Sequence, residues 1–452
     1  MRGMNTTLAE VLDLSGNRPS LRDARAVRDH IEDIVRLAVF GTDEEKSLAR
    51  YAIHAAAPQL GAVSSSIWGL YSARGRGEVG GFTAPAVNIR GMAFDMSRAL
   101  FRAMKATNGA ATIFELARSE MGYTYQEPAE IAAVVLAAAI AEGYEGPVFI
   151  QGDHFQANAK KFAADPESET KALEDLIRKA IAAQFYCIDI DASTLVDLSY
   201  EKVADQQAPN AKLTAHLTKL VRELQPEGVT ISVGGEIGEV GKHNSTVEEL
   251  TEYVEGFRRL VGPDEVGLAK VSVQTGTSHG GIPLPDGTIA KVAIDFETLR
   301  ELSRVGREKY GMAGAVQHGA STLPDEMFHR FPEVETAEIH LATGFQNLIM
   351  DHPRFPQDLL NEMRAYADRE FSDERKEGET DVQFFYKTRK KMWGPFKKQT
   401  WDLPKDLRDE LGKELQAKFE FLIRQLKAND TRDMVLKYVD QKVVEVEPPV
   451  IG

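Results

Sequence analysis

Eight short apolar runs, separated by stretches of helical spacing, constrain this chain more than any other feature. The runs are APAVNI (84–89), ATIFEL (111–116), PVFIQ (147–151), FYCIDI (185–190), VTISV (229–233), LAKVSVQ (268–274), AGAVQ (313–317) and AEIHL (337–341). They are continuous rather than alternating, and most are rich in β-branched or aromatic residues. That is the pattern of parallel strands covered on both faces. Between them the spacing predicts helices over 92–107, 128–141, 167–183, 246–260 and 296–305. Pro128 suits a first turn, and Thr246-x-x-Glu249 is a capping box. Eight such units over roughly 260 residues have the size and rhythm of a (β/α)8 TIM barrel. A doubly wound open sheet is the alternative, because periodicity alone does not close a sheet.

The flanks read differently. Residues 22–40 and 44–57 carry apolar positions at helical spacing, so 1–80 is expected to be a helical N-terminal extension. Gly75, Gly77 and Gly80 match G-x-G-x-x-G, but no strand precedes them and no helix follows, so they read as a loop and not as a dinucleotide site. The barrel domain is expected over 81–352 and a helical C-terminal extension over 353–452, with one strong helix at 405–426 after Pro404. That extension contains a basic aromatic stretch, YKTRKKMWGPFKK (386–398). It reads first as a solvated helix and turn. The alternative is a positive arm that covers an anionic substrate or docks on the acidic barrel.

Composition narrows the function. The 452 residues carry a formal charge of -15, which disfavours nucleic acid as a partner and requires any anionic substrate to meet a local positive site. The single cysteine, Cys187, excludes an intrachain disulfide and a cysteine-based zinc site. No signal core or membrane-length apolar stretch is evident, so no membrane partner and a cytoplasmic location are expected.

Three of the ten histidines share a position. His154 follows the third run in FIQGDH, His279 the sixth in VQTGTSHGG and His318 the seventh in AVQHGAS. In a barrel these lie on the C-terminal rim, where active sites of this architecture are built. Asp153, Asp191 and Glu236 sit at neighbouring strand ends. Three imidazoles with carboxylates suit a divalent metal, Zn²⁺ foremost, and three histidines leave a coordination position open for catalysis. Gly280 and Gly319 directly follow two of the histidines and would let backbone N–H groups approach a ligand.

GDH (152–154), IDAS (190–193), GEIGEVG (235–241), GTSHGG (276–281) and QHGASTLPDE (317–326) resemble, in order and spacing, the successive motifs of the class II, metal-dependent fructose/tagatose-bisphosphate aldolases. The resemblance implies a TIM barrel and reversible retro-aldol cleavage of a ketose phosphate or bisphosphate. His154, His279 and His318 then correspond to the metal ligands. Asp153 corresponds to the catalytic acid/base, and Asp191 and Glu236 to carboxylates of an alternative or second metal position. Gly280, Gly319 and Ser321 match positions that hold phosphate, and Asn88 in PAVNIR matches a first-strand residue facing the site. A dimer or tetramer is also implied.

The final run departs from the family's Lys-x-Asn-x-Asp-Thr-Asp. Of that motif only Thr343 survives, and His340 either replaces the asparagine or packs. The loop after Gly241 lacks the family's acidic pair, which leaves Glu239 as a weak candidate on the aldehyde half. The long tail resembles that of the accessory subunit of tagatose-bisphosphate aldolase, some relatives of which are ascribed ketose-phosphate C4-epimerase activity. Epimerase and accessory-subunit readings therefore stand beside the aldolase reading.

Overall fold

The computed structural model describes residues 6–238, 240, 243–276, 284, 294–320 and 323–450. Its centre is a closed barrel of eight parallel strands: β1 Ala84–Asn88, β2 Ile113–Ala117, β3 Gly146–Gln156, β4 Cys187–Asp191, β5 Ser232–Glu236, β6 Lys270–Val273, β7 Ala315–Gln317 and β8 Glu338–Leu341. Each strand pairs with the next, and β8 closes on β1 through Glu338↔Ala84 to Leu341↔Val87. This is the TIM barrel and not the open sheet. Almost every strand residue is buried, as a sheet with a filled interior and a helical coat requires.

All eight expected strands are present; six begin one to three residues later than the runs, and β2 to β5 end one to five residues later. The displacement has a consequence for the site. Asp191 and Glu236 are the last residues of β4 and β5, and Asp153 and His154 lie inside β3, whereas the apolar runs put all four just beyond their strands. The runs end where side chains turn polar, but the backbone ladder continues to the rim. Helices Ala93–Ala106, Pro128–Glu142, Pro166–Ala182, Val247–Val261 and Phe296–Tyr310 fall where the spacing predicts them. Thr246 and Glu249 form the reciprocal capping box. A helix over Val203–Leu224 was not anticipated.

Residues facing the barrel axis alternate along each strand and build three layers. Ala84, Ala86, Ile113, Phe149 and Cys187 belong to an apolar lower cluster. Above it, Glu115, Gln151, Asp189, Lys270 and Glu338 form a buried ionic layer. Lys270 Nζ donates to Gln151 Oε1 (2.8 Å) and pairs with Asp189 (3.0 Å) and Glu338. Gly234 makes room for it: a Cβ there would meet Asp189 Oδ1 at 2.3 Å. Asp153 and Asp191, two residues further along β3 and β4, belong to the top layer.

Both flanks are helical and pack on the barrel. The short strand Ala62–Ser64 pairs in parallel with the start of β3. Helix Lys405–Gln425 lies on helix Ala93–Ala106, tied by Arg408–Asp95 (3.0 Å) and by Arg102 Nη2 donating to Gly412 O (3.1 Å). Val435 and Val439 then join the lower apolar cluster with Leu70 and Tyr71. The 386–398 stretch is not solvated. Trp393 is buried against Gly91, where a Cβ would come within 2.2 Å of the indole. Among the described residues no helix is long and apolar enough to cross a membrane.

Candidate functional site

The C-terminal rim holds a cavity of about 240 Å³. Its wall includes Asn88, Asp153, His154, His318, Gly319 and Thr343, from the ends of β1, β3 and β7 and the start of the helix after β8. At the floor of the site β3 changes register against β4 between Gly152 and Phe155, and His154 adopts φ 39°. A non-glycine residue rarely takes that left-handed conformation, and a bulge re-aims side chains at the end of a strand. Here it turns His154 into the cluster.

The cluster is tight. His154 Nε2 and His318 Nδ1 stand 2.7 Å apart. His154 Nδ1 faces Glu236 Oε2 at 2.8 Å and Asp191 Oδ2 at 3.1 Å. Asp153 Oδ1 lies 3.7 Å from His154 Nε2. Donor atoms of Asp153, His154 and His318 all fall within 4.8 Å of one another, as do those of His154, Asp191 and Glu236. Ser272 Oγ meets the far nitrogen of His318 at 2.8 Å, and Ser193 Oγ and N donate to Asp191 Oδ1. Five of the expected site residues therefore meet in one place. Asn88 joins them by donating to Asp153 Oδ2 at 2.8 Å. Gly319 and Thr343 line the same cavity. His279, Gly280, Ser321 and Glu239 lie outside the described residues.

The donor set fits a divalent cation. Two imidazoles and three carboxylates are nitrogen and oxygen ligands of the kind that hold Zn²⁺ or a similar ion. Among the described residues no Lys or Arg pairs with Asp153 or Asp191 within 4.0 Å. Burial works to raise the Asp153 carboxyl, but the imidazoles of His154 and His340 outweigh it and hold the group well below the carboxylate range. Burial works against a charged His154, while Glu236 and Asp153 raise it well above an ordinary imidazole. Asp153, Asp191 and Glu236 thus place negative charge around His154.

His340 is part of the site, the outcome that strand β8 left open. Its Nδ1 meets Asp153 Oδ1 at 3.0 Å and its Nε2 meets Glu338 Oε1 at 2.7 Å. It links the rim to the ionic layer below. Arg90, Glu120, Tyr123 and Lys390 also line the cavity, Lys390 from the basic stretch whose alternative reading was an arm on the barrel. Glu120 is fixed by Arg90 (2.5 Å) and by Asn88 Nδ2 (2.8 Å). Arg90 closes the first-strand motif PAVNIR, which carried a signal for it; the basic stretch pointed to the barrel as a whole, without singling out Lys390.

The model of the family "Fructose-bisphosphate aldolase class-II" matches residues 76–399. The chain belongs to this family. It is accordingly an enzyme of the aldolase type. No curated protein matches it in sequence. Among solved structures it is similar to the fructuronate-tagaturonate epimerase of Cohnella laeviribosi (13% identity, 87% of this chain and 86% of that one, TM-score 0.53). It is also similar to a probable tagatose 6 phosphate kinase of Sinorhizobium meliloti 1021 (15%, 81% and 95%, 0.50). The YdjI aldolase of Escherichia coli K12 gives 14% identity over 80% and 97%, with a TM-score of 0.47. At these identities the first two likenesses are of fold.

Proposed function

We propose that the chain is a metal-dependent aldolase that cleaves and re-forms the C3–C4 bond of a ketose phosphate, with Zn²⁺ the foremost candidate ion. The convergence of Asp153, His154 and His318 donor atoms within 4.8 Å carries this reading. His154 and His318 would hold the ion together with His279, and Glu236 and Asp191 would serve an alternative position. Such an ion supplies Lewis-acid stabilisation of the negative charge that cleavage leaves on the ketose fragment.

Asp153 moves the proton at carbon. In cleavage its carboxylate takes the C4 hydroxyl proton as the C3–C4 bond breaks and the aldehyde forms, then delivers that proton to C3 of the ketose fragment; condensation runs the same transfers in reverse. Asn88 and His340 grip its two oxygens and fix its aim. Gly319 and Thr343 would meet substrate oxygens, and Gly280 and Ser321 keep their expected phosphate role. An amine route is disfavoured. Lys270, although inside the barrel, is buried and paired with Asp189 and Glu338, which hold its ammonium above the ordinary range.

A second reading is C4-epimerisation, in which the same bond breaks, the aldehyde rotates and the bond re-forms. It is favoured by the arm at the cavity wall, which would retain the aldehyde half, and by the altered β8. The fold likeness to an epimerase extends over 87% of this chain, more than the barrel alone. Incubating fructose 6-phosphate and fructose 1,6-bisphosphate with the protein, with and without chelator, and resolving the products tests both. Trioses indicate an aldolase and an isomer alone an epimerase; turnover that survives full chelation contradicts both.

A further inference from the structure

The C-terminal arm brings a cation to the cavity that the rest of the arm does not account for. In the 386–398 stretch every other charged side chain has a carboxylate. Lys387 pairs with Glu379 (2.9 Å), Arg389 with Asp351 (2.6 Å), Lys391 with Glu374, Lys397 with Glu130, and Lys398 with Asp402 (2.5 Å). Lys390 alone has no carboxylate within 4.0 Å among the described residues, yet it is half-buried in the cavity wall. A lysine in that setting is normally paired or in water.

Its position is held from both sides. Arg389 donates to Asp351 and to Asn347 Oδ1 (2.6 Å). Trp393 is buried against Gly91 and donates from Nε1 to Gln346 Oε1 at 3.1 Å. The ammonium itself stands 6.0 Å from the centre of the Tyr123 ring. The neighbouring cation is Arg90, committed to Glu120 at 2.5 Å and reaching Thr343 Oγ1 at 3.3 Å. Burial, followed by the charge of Arg90, pushes the Lys390 amine down. Two cations thus stand together at the cavity wall, beside the start of helix Thr343–Met350, whose N-terminal dipole also favours negative charge. The cavity, about 240 Å³, is smaller than the roughly 300–1,000 Å³ typical of drug-sized ligands and suits one sugar.

We propose that Lys390 and Arg90 form a subsite for the terminal anionic group, phosphate or carboxylate, of the ketose substrate. The C-terminal extension thereby supplies a specificity-determining residue to the barrel, and Lys390 acquires its missing counter-ion only when substrate binds. This rests on the aldolase or epimerase reading for the identity of the ligand as a ketose, but not for the existence of the anion site.

The test uses the full-length metal-loaded protein with Lys390→Met and Lys390→Arg. The preference for fructose 6-phosphate over fructose, as a ratio of kcat/KM, should fall about 10- to 100-fold in Lys390→Met through KM, and recover in Lys390→Arg. Fructuronate in the same assay separates a carboxylate from a phosphate, since only the resident anion loses its preference. Equal losses on charged and neutral ketoses, or no loss, overturn the proposal. If no ketose is turned over, the function reading fails by itself and the subsite is decided by binding. Titration of inorganic phosphate and acetate should show saturable binding of one of them to the wild type that Lys390→Met abolishes. Absent or unchanged binding overturns it. Should Lys390→Met not fold, slower acetylation of Lys390 in wild-type protein by acetic anhydride when phosphate or acetate is present supports the subsite, and an unchanged rate overturns it.

Discussion

Two charged layers lie one above the other inside this barrel, and they solve the same problem in opposite ways. In the lower one, the cation is built in. Lys270 meets Asp189, Glu338 and Gln151, and Gln151 Nε2 completes the set by donating to Glu115 (2.8 Å) and Glu338 (2.7 Å). Burial raises Asp189 to about 6 and, with the repulsion of Asp153, raises Glu115 well above the usual range. Burial acts the same way on Glu338, but Lys270 prevails and holds it at about 2. In the upper layer Asp153, Asp191 and Glu236 surround the imidazoles of His154 and His318, the donor set proposed to hold a divalent ion. A self-neutralised layer is scaffold. The upper layer is the proposed ion site.

The comparison can be broken from either side. The largest effect is expected at Asp153. Asp153→Asn should lower kcat by about 10²- to 10⁴-fold while melting temperature and metal content stay near wild type, measured by steady-state kinetics and metal analysis. A variant that lost stability instead would make the upper layer scaffold as well. Lys270→Met should do the reverse, costing about 3–5 kcal/mol in denaturant unfolding because Glu338 and Asp189 lose their buried counter-ion. A loss below about 1 kcal/mol would show that protonation of the carboxylates suffices without it.

A buried ionisable group outside both layers sharpens the contrast. His54 has no carboxylate partner among the described residues; its Nδ1 meets Gln184 Oε1 at 3.1 Å, and burial pushes it from 6.5 down to about 4. The unfolded chain therefore binds the proton first. The His54 contribution to stability is constant above pH 6.5 and falls as pH drops toward 4, by about 3 kcal/mol in all. Comparing pH-dependent unfolding of wild type and His54→Gln isolates this, and parallel curves would contradict it.

Much of the architecture was legible because strand after strand keeps a pure apolar run between helical stretches. Function was legible where polar residues crowd the ends of those runs, as in GDH and QHG. The ionic layer was not, although Phe149, Gln151 and Asp153, like Cys187, Asp189 and Asp191, show the period-two signal in retrospect. A charged residue inside an apolar run reads as an interruption until its partners on other strands are known. Helix Val203–Leu224 hid for a related reason. The face it buries mixes Gln207, Asn210, Thr214 and Thr218 with Ala211, Leu213, Leu217 and Val221, and Asn210 donates to Glu236 O at 2.8 Å. Polar residues interleaved on a buried face break up the apolar spacing that reports a helix. Lys390 reaches the cavity through the docking of Trp393 on Gly91, some three hundred residues away in the chain, and local pattern holds no trace of that contact.

Metal content of the purified chain, by mass spectrometry of the element alongside protein concentration, reaches the central claim with least intervening assumption. The account predicts about one tightly held divalent ion per wild-type chain and none in a folded His318→Ala variant. Wild-type protein that takes up no ion when offered zinc, manganese or cobalt, or a His318→Ala variant that keeps a full complement, would contradict it.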